Sequence, residues 1–116
     1  MGTELIYLAC PFSHPDPEVK KKRFEIATKI AARYFSKGIH VFSPLTHCYP
    51  IEQVPETKLP GDWAFWAEYD ERILSICDRV VVIAIDGWTA STGVQAEITI
   101  ARRLGKPVDY LTPAES

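Results

Sequence analysis

The sequence contains no CxxC pair, no HExxH and no other metal-ligand spacing. Its three cysteines, Cys10, Cys48 and Cys77, leave one over after any pairing, and its three histidines, His14, His40 and His47, lie too irregularly for a zinc site. A disulfide framework and a metal centre drop out of the reading, and a reducing compartment is expected. Neither GxGxxG nor GxxxxGK[ST] occurs, so neither a dinucleotide nor a triphosphate cradle is supported and no cofactor is expected. The longest apolar run, residues 80–85, cannot cross a bilayer, and the first residues lack the basic-then-apolar pattern of a secretory signal. The expectation is a cytoplasmic protein with no membrane partner. An excess of one charge is also missing. The 13 Lys and Arg and 15 Asp and Glu are interspersed, for a net charge of -2, which leaves no electrostatic footprint for a nucleic-acid polymer.

What remains is a chain of 116 residues, 47% hydrophobic, enough for one ordinary core and a single domain over residues 1–116. Residues 5–9 form a short apolar run that stops at Cys10-Pro11, as a buried strand stops at a loop. Over residues 18–37, Phe24, Ala27, Ile30, Ala31, Tyr34 and Phe35 recur at helical spacing, and Gly38 closes the helix. Residues 39–42 read as a second strand. The stretch 43–60, with four prolines, reads as a long irregular loop of the kind that forms lids and binding segments. Asp62 is placed to cap a helix carrying Phe65, Tyr69, Ile73 and Ile76.

Residues 80–85 are continuous and β-branched, the pattern of a strand buried on both faces at the centre of a parallel sheet. A polar turn over 86–92, a helix over 93–104 capped by Gly105, and a strand over 107–111 complete the order βαβαβαβ. That order predicts an α/β fold: an open parallel sheet of about four or five strands in a flavodoxin-like or Rossmann-like three-layer sandwich. Ligands in such folds bind beyond the carboxyl ends of the strands, so the loops after the strands share one functional edge.

The sharpest local feature at that edge runs from Asp86 through Gly87, Trp88, Ser91, Thr92 and Gly93 to Glu97. Glu97 falls about one helical turn after Gly93, where the helix N-terminus is expected to favour an ionised carboxylate, as a nucleophile requires. An acidic residue near a helix start also suits the dipole without doing chemistry, and spacing alone does not separate the two. Ser91, Thr92 and the N-H groups around Gly93 offer an anion site or an ordinary N-cap. Asp70 follows Trp66 by one turn, an aromatic beside a carboxylate that suits a base and its edge, or a solvated face of an amphipathic helix. Trp63 and Trp88 are further wall candidates, and Cys10 and Ser13 sit on the loop after the first strand. Cys10 as a thiolate nucleophile is a weaker reading, since nothing marks it as more than a small buried residue.

Taken jointly, Ile6-Tyr7-Leu8-Ala9-Cys10-Pro11, Asp70 with Cys77-Asp78, Gly87-Trp88 with Ser91, Gly93 and Glu97, and Gly105-Lys106-Pro107 resemble the nucleoside 2-deoxyribosyltransferase superfamily. The resemblance spans nearly the whole chain. It implies that Glu97 attacks C1′ of the sugar, that Tyr7 orients Glu97, and that Asp70 contacts sugar or base and assists the proton transfer to the leaving group. Ser91, Gly93, Cys10, Ser13, Trp66 and Trp88 are then expected to bind the substrate. Transferases of free nucleosides often carry an aspartate six residues before the glutamate. Ser91 stands there instead, similar to the nucleoside 5′-monophosphate N-glycosidases of the superfamily, and turns the expectation toward a nucleotide hydrolase. The first loop, Cys-Pro-Phe-Ser-His, lacks the glycine-rich, arginine-bearing form typical of those hydrolases. Active sites in the superfamily are often completed by a neighbouring subunit, so the resemblance implies a homodimer or larger assembly. Nucleoside base exchange and a non-catalytic nucleotide sensor on the same edge stay open as alternatives.

Overall fold

In the computed structural model, residues 4–56, 58–60 and 63–112 are described. Four strands, β1 (Leu5–Ala9), β2 (His40–Phe42), β3 (Arg79–Ile83) and β4 (Val108–Leu111), form one sheet in the order β2-β1-β3-β4. All its pairings are parallel, with Tyr7 opposite both Phe42 and Val80. Four helices connect them: α1 (Pro17–Ser36) follows β1, α2 (Pro44–Glu52) and α3 (Trp63–Ile76) both lie between β2 and β3, and α4 (Thr92–Arg103) precedes β4. This is the expected open parallel α/β sandwich, with four strands among the described residues. None of their helices is long and apolar enough to cross a membrane.

The period of two along the strands divides the core into two halves. Ile6, Leu8 and Cys10, with Val81 and Ile83, point to one face and pack on Ala27, Ile30 and Ala31 of α1 and Leu45 of α2. Tyr7 and Ala9, with Val80 and Val82, point to the other face and meet Leu74 of α3 and Val94, Ile98 and Ala101 of α4. Both central strands are therefore apolar on both sides, which is why they read as continuous runs in the sequence.

The helix ends follow local chemistry. Asp16 caps α1 by accepting the Glu18 N-H at 2.9 Å, and Pro17 occupies the first turn, where its missing N-H costs nothing. Gly38, at φ 76°, ends α1: its N-H reaches the Phe35 carbonyl and the Ile39 N-H reaches that of Tyr34.

Most boundaries fall within one residue of the sequence reading, and two stretches differ by more. The central strand is Arg79–Ile83, and Ala84 and Ile85 already belong to the loop beyond it. The stretch 43–60 is not irregular throughout, because Pro44–Glu52 is helical. Ser43-Pro44 ends β2 and also starts α2: Ser43 caps it, accepting from the Thr46 N-H and hydroxyl, and Pro44 stands in the first turn. Pro50 sits inside the helix and forgoes one backbone bond. Packing offsets that loss, for Tyr49 stacks on Phe24 at 4.7 Å and the Thr28 and Thr46 hydroxyls bond at 2.8 Å, tying α2 to α1. The expected cap of α3, Asp62, lies outside the described residues.

Candidate active site

The strand order reverses between β1 and β3, and such a switch point leaves a crevice at the carboxyl ends of the two strands. A cavity of about 430 Å³ lies there, within the range of roughly 300–1,000 Å³ common for small-molecule sites. Its walls come from the loop after β1 (Cys10, Phe12, Ser13), from α2 (Leu45, Cys48, Glu52), from α3 (Trp63, Trp66, Asp70) and from the start of α4 (Ser91, Thr92, Gly93, Glu97).

Glu97 reaches the cavity because of helical periodicity. Val94, Ile98 and Ala101 recur at i, i+4 and i+7 and press α4 onto the sheet, and Glu97 falls on the same stripe. It is only 5% exposed. From β1 below, the Tyr7 hydroxyl, fully buried, donates a short hydrogen bond to Glu97 Oε2. From α3, Asp70 is held inward by Leu74 one turn later and is 4% exposed. Asp70 Oδ1 has no hydrogen-bond partner among the described residues. A buried carboxylate oxygen left unpaired beside a cavity is costly, and substrate groups are a natural way to satisfy it.

Burial dominates the protonation of all three groups. Burial pushes the Glu97 carboxyl up to about 8; the Tyr7 hydrogen bond opposes this and the Asp70 charge adds to it. Burial likewise pushes Asp70 up to about 7. Tyr7 is held well above its ordinary value by burial and by the Glu97 and Asp70 charges, so it remains a phenol and a donor. The expectation that the helix dipole keeps Glu97 ionised is therefore corrected. Glu97 is the sixth residue of α4, beyond the first turn where the dipole acts, and desolvation outweighs it. Both acids therefore hold protons into the neutral range, Glu97 more tightly than Asp70.

Ser91 is the N-cap of α4 and accepts the Val94 N-H at 3.2 Å, the ordinary capping role, while it also lines the cavity with Thr92 and Gly93. Trp63 lies against Gly93, with its ring 3.6 Å from where a β-carbon would stand. Trp66 does line the cavity, its indole N-H donating to Glu52 Oε2 at 2.6 Å. Cys10 and Ser13 line it as well. The Cys10 thiol is pushed up to about 12 by burial, which removes it as a nucleophile near neutral pH.

Trp88 is the expected residue that the structure does not bring there. After Gly87, at φ 94°, the chain makes a single helical turn, and the Trp88 ring packs 5.3 Å from that of Tyr110 and against the core beneath α4. Its apolar area goes to packing rather than to the cavity wall.

Sequence reasoning missed Phe12, Leu45, Cys48 and Glu52. The last three share one face of α2 at spacings of three and four, a signal hidden when residues 43–60 are read as loop. It also missed Arg23. This α1 side chain donates to the carbonyls of Phe12 and Ser13 at 3.4 and 3.2 Å and to that of Asp86 at 3.2 Å, joining the loops after β1 and β3.

A flavodoxin-like parallel sheet with a tyrosine and two buried acids at its switch point defines a nucleoside 2-deoxyribosyltransferase-like fold. The chain is similar to the solved 2-deoxyribosyltransferase of the psychrotolerant bacterium Bacillus psychrosaccharolyticus, at 26% identity and a TM-score of 0.64, over 94% of this chain and 72% of that one. The chain belongs to the family described as a domain of unknown function, DUF1937, whose model matches residues 4–112. No curated protein matches it.

Proposed function

We propose that the chain transfers the glycosyl group of a nucleoside, breaking its N-glycosidic bond through a sugar linked to Glu97. The observation that carries this reading is the Tyr7, Glu97 and Asp70 cluster, buried together under a cavity of nucleoside size at the switch point. The solved 2-deoxyribosyltransferase supports the same class of reaction.

In the first step the Glu97 carboxylate attacks C1′ and the C1′–N bond breaks. Its electron pair leaves with the base, which takes a proton from Asp70 directly or through the base's own tautomer. In the second step water or another base attacks C1′, its proton passes to Asp70, and the ester to Glu97 breaks. Two displacements retain the configuration at C1′. The active form has Glu97 ionised and Asp70 protonated, the less populated of the two singly protonated forms, since Glu97 at about 8 holds its proton more tightly than Asp70 at about 7. Tyr7 donates to Glu97 and so steadies the anion. Water as the acceptor makes the protein an N-glycosidase, and a second base makes it a base-exchange enzyme.

The cavity lining weighs on the phosphate question. Three carboxylates, Glu52, Asp70 and Glu97, face the space, and none of its described lining residues is Lys, Arg or His. The start of α4 offers an anion only backbone N-H groups and hydroxyls, and the Ser91 oxygen already serves as a cap. This favours the uncharged nucleoside over the 5′-monophosphate that Ser91 suggested from the sequence. A homodimer or larger assembly belongs to this reading, since Phe65, Tyr69 and Ile76 expose apolar surface along α3, and sedimentation decides it.

The test is incubation with ribo- and 2′-deoxynucleosides and their 5′-monophosphates, with and without a second base, following free and exchanged base by chromatography. Base release or exchange from the nucleosides is expected. Failure to process any member of the panel, with binding retained, would replace the enzyme by a nucleoside sensor.

A further inference from the structure

The cavity lining brings together two chemically different groups of residues. At the start of α4, Ser91 and Thr92 present hydroxyls and backbone N-H groups, partners suited to a sugar. Phe12 after β1, Leu45 of α2 and Trp66 of α3 instead present flat or apolar surface, suited to the faces of a planar base. A base whose C1′ lies at Glu97 finds stacking surface in this second group.

The charged side chain held against this second group is Glu52, at the end of α2 and bonded to Trp66. The Trp66 indole N-H, which can only donate, is already bonded to Glu52 Oε2 at 2.6 Å. Trp66 is Glu52's only hydrogen-bond partner among the described residues, so the second carboxylate oxygen keeps its capacity to accept. The other polar side-chain atoms that Phe12's loop and α2 bring to the cavity are the Cys10 and Cys48 thiols, weak as donors, and the uncharged Ser13 hydroxyl, which can donate or accept. A base edge there therefore meets a charged acceptor and, among the described lining residues, no charged donor.

We propose that Glu52 is the specificity-determining residue of this cavity and selects bases that present an exocyclic amino group. The proposal rests on the nucleoside reading above. A carboxylate accepts well from the amino group of cytosine, and the same geometry applies to that of adenine. In uracil and hypoxanthine a carbonyl oxygen takes the amino position and stands against the carboxylate with no proton between them. Each pair matches in size, so the apolar walls do not discriminate and the difference falls on Glu52. A hydrogen bond to a charged group gives a preference of about 10- to 100-fold in each pair.

The test compares cytidine with uridine and adenosine with inosine, in ribo- and 2′-deoxy forms. Binding to the Glu97→Gln protein is measured by calorimetry, and base release by the wild type is measured in parallel. Tighter binding of the amino member of each pair is expected. Glu52→Gln keeps an oxygen for the Trp66 N-H and adds an NH₂ donor, so it should narrow or invert both ratios. Equal binding within the pairs, or ratios unchanged by Glu52→Gln, overturns the assignment of Glu52. A preference that Glu52→Gln erases, without base release by the wild type, upholds that assignment and overturns the glycosidic chemistry. No binding by any of the nucleosides overturns both.

Discussion

The two faces of the sheet are built by the same rule and end in opposite states. Beneath α1 and α2, Ile6, Leu8, Val81 and Ile83 meet Ala27, Ile30 and Leu45, and no carboxylate enters that cluster. Beneath α3 and α4, the equivalent layer includes the Tyr7 hydroxyl, with Glu97 and Asp70 buried beside it. One face spends its burial on cohesion. The other holds two acids in a place where each would rather be protonated, which costs stability and makes the groups responsive to a substrate. The site is thus the part of the core where packing and polar satisfaction disagree.

Glu97→Gln should separate the two faces most sharply. On the proposed mechanism it removes the nucleophile and lowers base release by several orders of magnitude, measured by single-turnover kinetics. The fold should gain. Glu97 and Asp70 bind protons more tightly folded than unfolded, so their contribution to stability is complete below the ordinary carboxylate range. It is lost as the pH rises through about 7 and about 8. Glutamine has no such loss, so its melting temperature should exceed that of the wild type near pH ~9 and match it near pH ~4. A variant less stable than the wild type at the higher pH would show that Glu97 supports the fold.

Leu8→Ala reverses the pattern. Leu8 is fully buried on the apolar face, and its truncation should destabilise by about 2–5 kcal/mol while turnover per folded molecule holds. Urea unfolding and active-site titration check this, and a large fall in turnover would mean the faces are coupled. Tyr7→Phe is expected to be milder. It removes the hydrogen bond that lowers the Glu97 pKa, so the neutral rate should fall about 10- to 100-fold and the alkaline limb of the pH–rate profile, set by Glu97 as the group with the higher pKa, should move to higher pH. An unmoved limb would mean that Tyr7 does not tune Glu97. The smallest effect belongs to Gly87→Ala. At φ 94° a side chain is strained, and its β-carbon would stand 2.7 Å from Arg23 Nη2, so a loss of about 1–2 kcal/mol in thermal unfolding is expected.

The same contrast explains what the sequence made legible. β1, β3, α1 and α4 announce themselves because two-sided burial and helical stripes leave unbroken apolar patterns. The meeting of Tyr7, Asp70 and Glu97 follows from the strand order and the carboxyl-edge rule. α2 was hidden because proline reads as a breaker, whereas Pro44 in the first turn starts a helix and packing on α1 tolerates Pro50. Glu52 and Cys48 were hidden with it. Trp88 looked like a binding aromatic because stacking on a ligand and packing on Tyr110 draw on the same surface. The Glu97 charge state was misread because a helix dipole is visible in sequence and desolvation is not.

Arg23 ties the two loops through backbone carbonyls rather than side chains. Such a link is indifferent to which amino acids the loops carry, but not to how long they are. Residues can be exchanged at Phe12, Ser13 or Asp86 while one guanidinium still spans the three oxygens. An insertion on either side moves an oxygen out of the reach of that planar fork. The two loops are therefore one unit for redesign: their lengths have to change together, or Arg23 has to change with them.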